Sequence, residues 1–326
     1  MPSSSALVLV EHSNGELASI SKELLGAARR LADASGETVT AVAFGRGASE
    51  AAREAIAHGA DSALVAEDAA LDEYANDTWT AALSAAAAET NPSIVLLGQT
   101  NIGRDLAPRF ATRAGSAAAM DCIDLGLRDG RLLMTRPCFG GNAHAQYTCR
   151  TDPQVATLRA KAFEPLQPDA SRSGEVKTLS LGVTASVART IARNVVESEG
   201  VRLEDAAVVV SGGRGMGGAE AFDELRMLAR VLGAAVGSSR AAVDAGWVPV
   251  ASQVGLTGKV VTPELYIAFG ISGASQHLAG ITGARNVVAV NKDKDAEIFK
   301  VARYGAVADW KAFLPAFTEE CRKLKN

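Results

Sequence analysis

The stretch VVVSGGRGMGGAEAFDELRMLARVLGAAVGSSR, residues 208–240, decides the fold. Its apolar opening predicts a strand over Ala206–Ser211, and the glycine-rich turn behind it leads into a helix beginning near Ala219. A second strand follows at Gly233–Gly237, which completes a strand–helix–strand unit of the parallel kind. Gly213, Gly215 and Gly218 satisfy G-x-G-x-x-G. Glycines at such a turn let the backbone approach a phosphate, and a helix N-terminus supplies free amides and a positive dipole end. The same glycines can equally serve packing alone. A dinucleotide fold that binds NAD carries an acid at the end of its second strand to hold the ribose. Here that place holds Ser238-Ser239-Arg240, hydroxyls and a cation, which disfavours ordinary NAD binding.

The rhythm continues outward from this unit. Strands are predicted at Leu265–Gly270, Asn286–Asn291 and Gly305–Asp309, with a last helix over about 310–324. Two more loops rich in Gly, Ser and Thr fall between them, QVGLTGK (253–259) and GISGASQHLAG (270–280). Ser272 and Ser275 suit a helix N-terminus, and the amides beside them would form a second phosphate-binding loop. His277 follows in the first helical turn. Ligands of such sheets bind at the carboxyl ends of the strands, where these three loops fall in succession.

The first half reads as α/β as well. Strands are predicted at Ala6–Val10, Thr38–Phe44, Ser62–Val65 and Ser93–Leu97, with helices at Ser19–Ala34, Ala48–His58 and Asp77–Ala88. Leu125–Met134 reads as a hairpin turning on Asp129-Gly130, and Gln154–Arg159 as a further strand. Residues 164–180, EPLQPDASRSGEVKTLS, read as a linker or exposed loop. Val183–Glu197 reads as a connecting strand and link. The expected architecture is two α/β domains. Residues 1–195 form an N-terminal domain with added antiparallel strands, and residues 196–326 a Rossmann-like, doubly wound parallel-sheet domain.

Composition narrows the function. The chain has 326 residues, 48% hydrophobic and 21% charged, enough for two ordinary domains. A net charge of −4 without a basic stripe argues against nucleic acid. No apolar run reaches the ~18–20 residues that span a membrane, and the N-terminus shows no targeting segment, so a bacterial cytoplasmic protein is expected. Cys122, Cys138, Cys149 and Cys321 form no CxxC pair and no metal-ligand spacing with histidine, which fits reduced thiols. His12, His58 and His144 stand isolated and suit surface or packing roles. No nucleophile elbow, zinc-protease or P-loop signature is present, and the glycine spacing before Lys259 is wrong for a P-loop. No catalytic residue and no metal site are therefore expected.

Taken together, VVVSGGRGMGG, VGSSRAAVDAGWVP, QVGLTGKVVTPELYIAFGISGASQHLAGI and VVAVNKDKDAEIF resemble the FAD domain of electron-transfer flavoprotein alpha subunits, in order and spacing from about Val208 to Asp309. LVLVEHSNGELASISKELLGAARRL (7–31) resembles that family's opening. GQTNIGRDLAPRFATR (98–113) and the Gly-Gly-Asn at 140–142 carry the looser middle. The resemblance implies FAD as cofactor. It implies FAD contacts at Arg214 and Ser239, and at Arg240 a guanidinium over the flavin ring. Gln253, Val254, Gly255, Leu256 and Thr257 would line the flavin edge, with Thr257 placed to bond N5. Ser272, Gly273, Ala274, Ser275 and Gln276 would hold the pyrophosphate and ribityl chain, and His277 would stand near the flavin O2. Asn291, Asp309 and Trp310 would surround the adenosine half. Leu256 departs from the Gln that many members carry, so a side-chain polar contact is lost there.

The resemblance further implies a heterodimer with an electron-transfer flavoprotein beta subunit carrying AMP or, in a bifurcating member that uses NADH, a second FAD. The chain would be an electron carrier rather than an enzyme with its own substrate turnover. Electrons would come from flavin dehydrogenases such as acyl-CoA dehydrogenases of fatty acid oxidation. They would leave to a membrane quinone oxidoreductase or another acceptor. Two alternatives are a stand-alone transhydrogenase-like enzyme using NAD(P) and a purely structural nucleotide-binding module. The expected chemistry is electrostatic, because reducing the flavin puts negative charge on its N1–C2=O edge. A fixed charge ~4 Å away at effective dielectric ~20 is worth roughly 4 kcal/mol, an upper limit of roughly 170 mV. Arg240 can supply that charge, and His277 can add to it when protonated.

Overall fold

The structure, a computed structural model, describes residues 5–141, 143–181, 186, 188, 190–191 and 201–325. It divides into two compact units, Met1–Arg193 and Asn194–Asn326.

The first unit opens with β1 (Ala6–Leu9), a two-rung hairpin of β2 (His12–Ser13) and β3 (Glu16–Leu17), α1 (Ser19–Ser35) and β4 (Val39–Phe44). It continues through α2 (Ala48–Ala57), β5 (Ser62–Ala66), α3 (Asn76–Thr90), β6 (Ile94–Gly98), α4 (Asn101–Arg113) and β7 (Ala118–Cys122). β8 (Asp124–Arg128), β9 (Arg131–Cys138), β10 (Ala143–Tyr147), β11 (Gln154–Leu158) and β12 (Glu175–Thr178) complete it. The main sheet runs β12-β5-β4-β1-β6-β11-β7 with every pairing parallel. Its central strands are buried on both faces. Ala6 and Val8 of β1 face a core shared with α1 and α2, while Leu7 and Leu9 face the core of α3 and α4. That two-sided burial is why these strands read as unbroken apolar runs instead of alternating ones.

The predicted hairpin is present. Asp129 and Gly130 both take positive φ, 52° and 73°, which is the primed turn that joins β8 to β9. β10 then adds to β9, giving a three-stranded antiparallel sheet. Several features went unread, β7 and the β2–β3 hairpin among them. α4 carries Pro108 in its interior, a residue that argues against a helix, and is started by Thr100, whose Oγ1 accepts from the Gly103 N–H at 3.0 Å. β10 has hardly any buried side chain to mark it. The linker reading of 164–180 needs correction too. Glu175–Thr178 form β12, parallel to β5 at the sheet edge. All four of its side chains are exposed, so backbone hydrogen bonds hold the strand and no apolar pattern announces it. Most of Val183–Glu197 and the Asn142 position lie outside the described residues.

Glu11 stands just past β1, where the strand order turns back between β1 and β6. Its carboxylate accepts from Thr100 Oγ1 at 2.6 Å, yet burial outweighs that bond and pushes the acid up to about 7. An acid whose folded pKa is raised holds its proton more tightly in the native state. Folding stability therefore falls as pH rises from about 4.5 to about 7 and levels off above. Glu11→Gln keeps the acceptor for Thr100 and removes the ionisation. We expect it to raise the melting temperature of the first unit at pH 8 and to leave it unchanged near pH 4.5. Thermal scans at the two pH values check this, and equal gains at both would refute the burial argument.

The second unit comprises β13 (Val208–Gly212), α5 (Ala221–Leu232), β14 (Ala235–Ser238), α6 (Arg240–Asp244), β15 (Leu265–Phe269), α7 (Ser275–Ala279), β16 (Val287–Asn291), β17 (Tyr304–Val307) and α8 (Trp310–Lys325). Its sheet runs β14-β13-β15-β16-β17, again with every pairing parallel. All five predicted strands are present, displaced by at most two residues at most ends. Gly233 does not open a strand. It caps α5 at φ 68°, the left-handed conformation that ends helices. Asp309 likewise falls beyond β17. The strand order reverses between β13 and β15, and that switch point is where the loops of interest lie.

Candidate functional site

Three loops lie at the carboxyl ends of β13, β14 and β15. The first, 213–217, is not the helix-opening turn of a dinucleotide fingerprint. A 3-10 turn over Arg214–Met216 intervenes and closes on Gly217 at φ 86°, and α5 begins only at Ala221 rather than near Ala219. The glycines divide in role. A Cβ on Gly213 would sit 2.2 Å from the Gly270 carbonyl oxygen, and one on Gly215 would sit 2.8 Å from Gly270 Cα. Gly213 and Gly215 also donate their N–H groups to Phe269 O (2.8 Å) and Gly270 O (3.0 Å). A Cβ on Gly218 would meet nothing. The motif thus joins two loops backbone to backbone, and its third glycine takes no part.

The 253–259 loop is tied on both sides. Val254 N–H donates to Ser238 O at 2.9 Å, at the end of β14, and Leu256 N–H donates to Gln276 O at 2.8 Å. Gln253 is buried and its Nε2 donates to Thr257 Oγ1 at 3.0 Å, which holds the exposed tip in shape. Gly255 (φ 146°) lies under Gly280, whose Cβ would come within 2.4 Å of it. The sequence places these two glycines in separate motifs. Only the fold shows that they meet, and that a side chain at Gly280 would strike the Gly255 backbone.

The 270–277 loop leaves a run of amides without backbone partners. Among the described residues, the N–H groups of Ser272, Gly273, Ala274, Ser275 and Gln276 donate to no other backbone group. Ser272, Ala274, Ser275 and Gln276 are exposed. Gly273 is buried at φ 86°, its Cβ position only 2.2 Å from Ile298 N, so the loop is pressed onto the 297–300 turn. Asn291 completes the clamp, since its Nδ2 donates to Ile271 O at 2.9 Å and its Oδ1 accepts from Asp293 N–H at 3.0 Å. Asn291 therefore acts by holding the loop.

The remaining expected residues fall as follows. Ser239 begins α6 without capping it, and its buried Oγ has no hydrogen-bond partner. Arg214 and Arg240 are exposed at the loop ends. Arg240, 69% exposed at its side chain, keeps only a 3.4 Å contact to Asp244 one turn on. Asp309 is engaged by Lys292 (2.9 Å) and by the Lys311 N–H (3.0 Å), which hold its carboxyl below the usual range. Trp310 is half-buried, with the Lys311 ammonium over its ring at 6.0 Å. Leu256 is 53% exposed.

His277 is more enclosed than its place in a loop suggests. It is only 6% exposed, and its Nε2 lies 2.9 Å from the hydroxyl of the fully buried Tyr266. Burial pushes its imidazole down to about 4, offset in part by the Val254 backbone. That burial favours the neutral imidazole and weighs against the positive charge expected of it. Tyr266 itself went unread, because an aromatic in an apolar strand reads as core and nothing local shows that its hydroxyl meets a histidine eleven residues on.

The chemistry on offer is a row of free amides, two exposed guanidiniums, a buried unpartnered hydroxyl and glycine cradles that side chains would fill. These fit the pyrophosphate of a dinucleotide with a ring that tolerates a cation beside it, and the end of β14 carries Ser238, Ser239 and Arg240 where an NAD site has its ribose-binding acid. The class defined is thus a doubly wound flavin-nucleotide domain joined to a second α/β unit. Comparison with known proteins agrees. Residues 6–183 match the family model of the electron transfer flavoprotein domain, and residues 202–282 match that of the electron transfer flavoprotein FAD-binding domain. The electron transfer flavoprotein subunit alpha of Thermoanaerobacterium thermosaccharolyticum is 43% identical over 322 residues, 98% of each chain. That of Megasphaera elsdenii is 43% identical over 98% of this chain and 96% of its own. The Bacillus subtilis subunit is 41% identical over 98% and 97%. The chain belongs to the electron transfer flavoprotein alpha-subunit family, and FAD is its cofactor.

Proposed function

We propose that this chain is the FAD-carrying half of a heterodimeric electron carrier. It would take electrons from flavin dehydrogenases such as acyl-CoA dehydrogenases and pass them singly to an electron-transfer flavoprotein quinone oxidoreductase or another acceptor, in the bacterial cytoplasm. The reading rests on the free amides of residues 272–276 lying at the same strand ends as Arg240, a cation where an NAD enzyme keeps an acid. FAD supplies the redox chemistry, accepting and releasing single electrons. The chain's own residues bind, orient and tune it. Ser272–Gln276 would take the pyrophosphate and ribityl chain, with Arg214 and the unpartnered Ser239 hydroxyl as further donors. Val254–Thr257 would lie along the flavin edge, and Arg240 over the ring would favour negative charge there. Asn291 would serve by bracing the loop, and Trp310 and Asp309 would flank the adenosine end. Residues 196–326 make up this FAD domain, and residues 1–195 would be the platform for the beta subunit. No helix among the described residues is long and apolar enough to cross a membrane.

The experiment is co-expression with the beta subunit and measurement of flavin per heterodimer. One FAD, with AMP released on denaturation, is the expected result for a simple carrier. Two FAD would replace it with the bifurcating, NADH-using reading, whose second flavin sits in the partner. No flavin on a folded heterodimer would end the assignment of these loops.

A further inference from the structure

The 253–259 loop is a ring fastened from within, and Lys259 closes it. The Lys259 N–H donates to Gln253 O at 2.8 Å, the Gly255 N–H to Lys259 O at 3.1 Å, and the Gly258 N–H to Gly255 O at 3.0 Å. A Cβ on Gly258 would lie 2.4 Å from Gln253 O, so the neck of the ring has no room for a side chain there. Those bonds fix the shape of the ring. Its place on the unit needs ties that leave the ring. Two are backbone bonds, from the Val254 N–H to Ser238 O and from the Leu256 N–H to Gln276 O.

A third tie is an ion pair. Lys259 Nζ meets both carboxylate oxygens of Glu204, at 2.9 Å and 3.0 Å, across 55 residues of chain. Glu204 lies in the segment that leads into β13. Leu203 and Ala206, on either side of it, are buried in the same apolar cluster as Val254 and Val261, which stand near the two ends of the ring. The acid is therefore carried by a segment that shares a core with the loop it holds. Its neighbour Asp205 faces Arg202 instead, at 3.8 Å. The side chains of Lys259 and Glu204 are 31% and 37% exposed, and a partly sheltered pair is screened less than one in open water.

We propose that Glu204 is a positioning residue for the flavin site. Through Lys259 it seats the 254–257 loop, and residues 203–206 serve as the buttress of that loop. Glu204 itself touches no cofactor, and it acts only through the ion pair. This rests on the FAD reading of the site for its effect on flavin, but the seating of the loop belongs to the chain and can be measured without flavin.

The test uses the full-length chain with its beta subunit, flavin-loaded and flavin-stripped. The variants are Glu204→Gln, Lys259→Gln, the two together, and the exchanged pair Glu204→Lys with Lys259→Glu. In the flavin-stripped protein, amide hydrogen exchange over residues 253–259 is expected to quicken about two- to fivefold in each single variant, the worth of a partly exposed ion pair. FAD affinity should fall by a similar factor, and the circular dichroism of the bound flavin should change, which a loss of stability elsewhere would not cause. The double variant should lose no more than a single one, and the exchanged pair should recover most of the loss, because the interaction carries the effect. Losses that add in the double variant would overturn the proposal. So would loop exchange and flavin dichroism that stay at wild-type values in Glu204→Gln. If the exchanged pair does not fold, the single and double variants decide the matter. A wild-type protein that binds no FAD would strike the cofactor reading, and loop exchange would still decide whether Glu204 seats the loop.

Discussion

Arg240→Ala is expected to lower the midpoint potential of the bound flavin by ~30–100 mV, the largest electrostatic effect of any single substitution at the site. A cation ~4 Å from the developing charge at effective dielectric ~20 sets a ceiling of roughly 170 mV. Two features of the structure pull the expectation below that ceiling. The Arg240 side chain is 69% exposed, so water screens it, and Asp244 sits 3.4 Å away as a counter-charge. Burial disfavours a charge on His277, however, and to that extent the guanidinium carries more of the task than the sequence suggests. Potentiometric titration of the flavin-loaded heterodimer reads the shift. Arg240→Lys should recover part of it, since the charge survives and the planar contact does not. Potentials that stay put in the Ala variant would remove Arg240 from the tuning role.

Gly213→Ala is expected to strip the chain of FAD, retaining less than about a tenth of the wild-type flavin, and to destabilise the second unit by ~1–3 kcal/mol. The new methyl would lie 2.2 Å from the Gly270 carbonyl oxygen and 2.7 Å from Ile271 Cα, backbone atoms that cannot turn aside as a side chain can. Gly213 has φ −105°, which alanine adopts freely, so the effect reports the contact and not conformational strain. Relief requires moving residues 270–271, and with them the amides of 272–276. Gly218→Ala is the matched control. Nothing lies within 4 Å of its Cβ position, and we expect unchanged flavin content and stability. Flavin content after gel filtration and thermal unfolding check both variants. Equal losses in the two would mean that the motif acts as a phosphate-binding fingerprint and not as a packing joint.

The class of fold was open to reading because parallel sheets are buried on both faces. Runs such as Leu7–Val10, Val208–Val210 and Ile267–Phe269 announce themselves through composition alone, and helices between them follow a 3.6-residue period. Turn chemistry was equally legible at Asp129-Gly130, where both residues must take positive φ. What escaped notice lacks such local marks. β12 is a polar edge strand, β10 is exposed along nearly its whole length, and α4 contains a proline. Each is held by neighbours remote in sequence.

The site divides along the same line. The sequence by itself determined which loops matter, because glycines, serines and a misplaced arginine at successive strand ends are visible without coordinates. It also determined the family, through the order and spacing of those loops. Only the tertiary structure decided what each residue packs against. It turned two glycines of a phosphate motif into a joint with Gly270, made Asn291 a brace, and buried His277 against Tyr266. Those roles depend on distances between segments tens of residues apart and on how far water is excluded. The chain's local preferences encode neither quantity, and both arise when the loops meet.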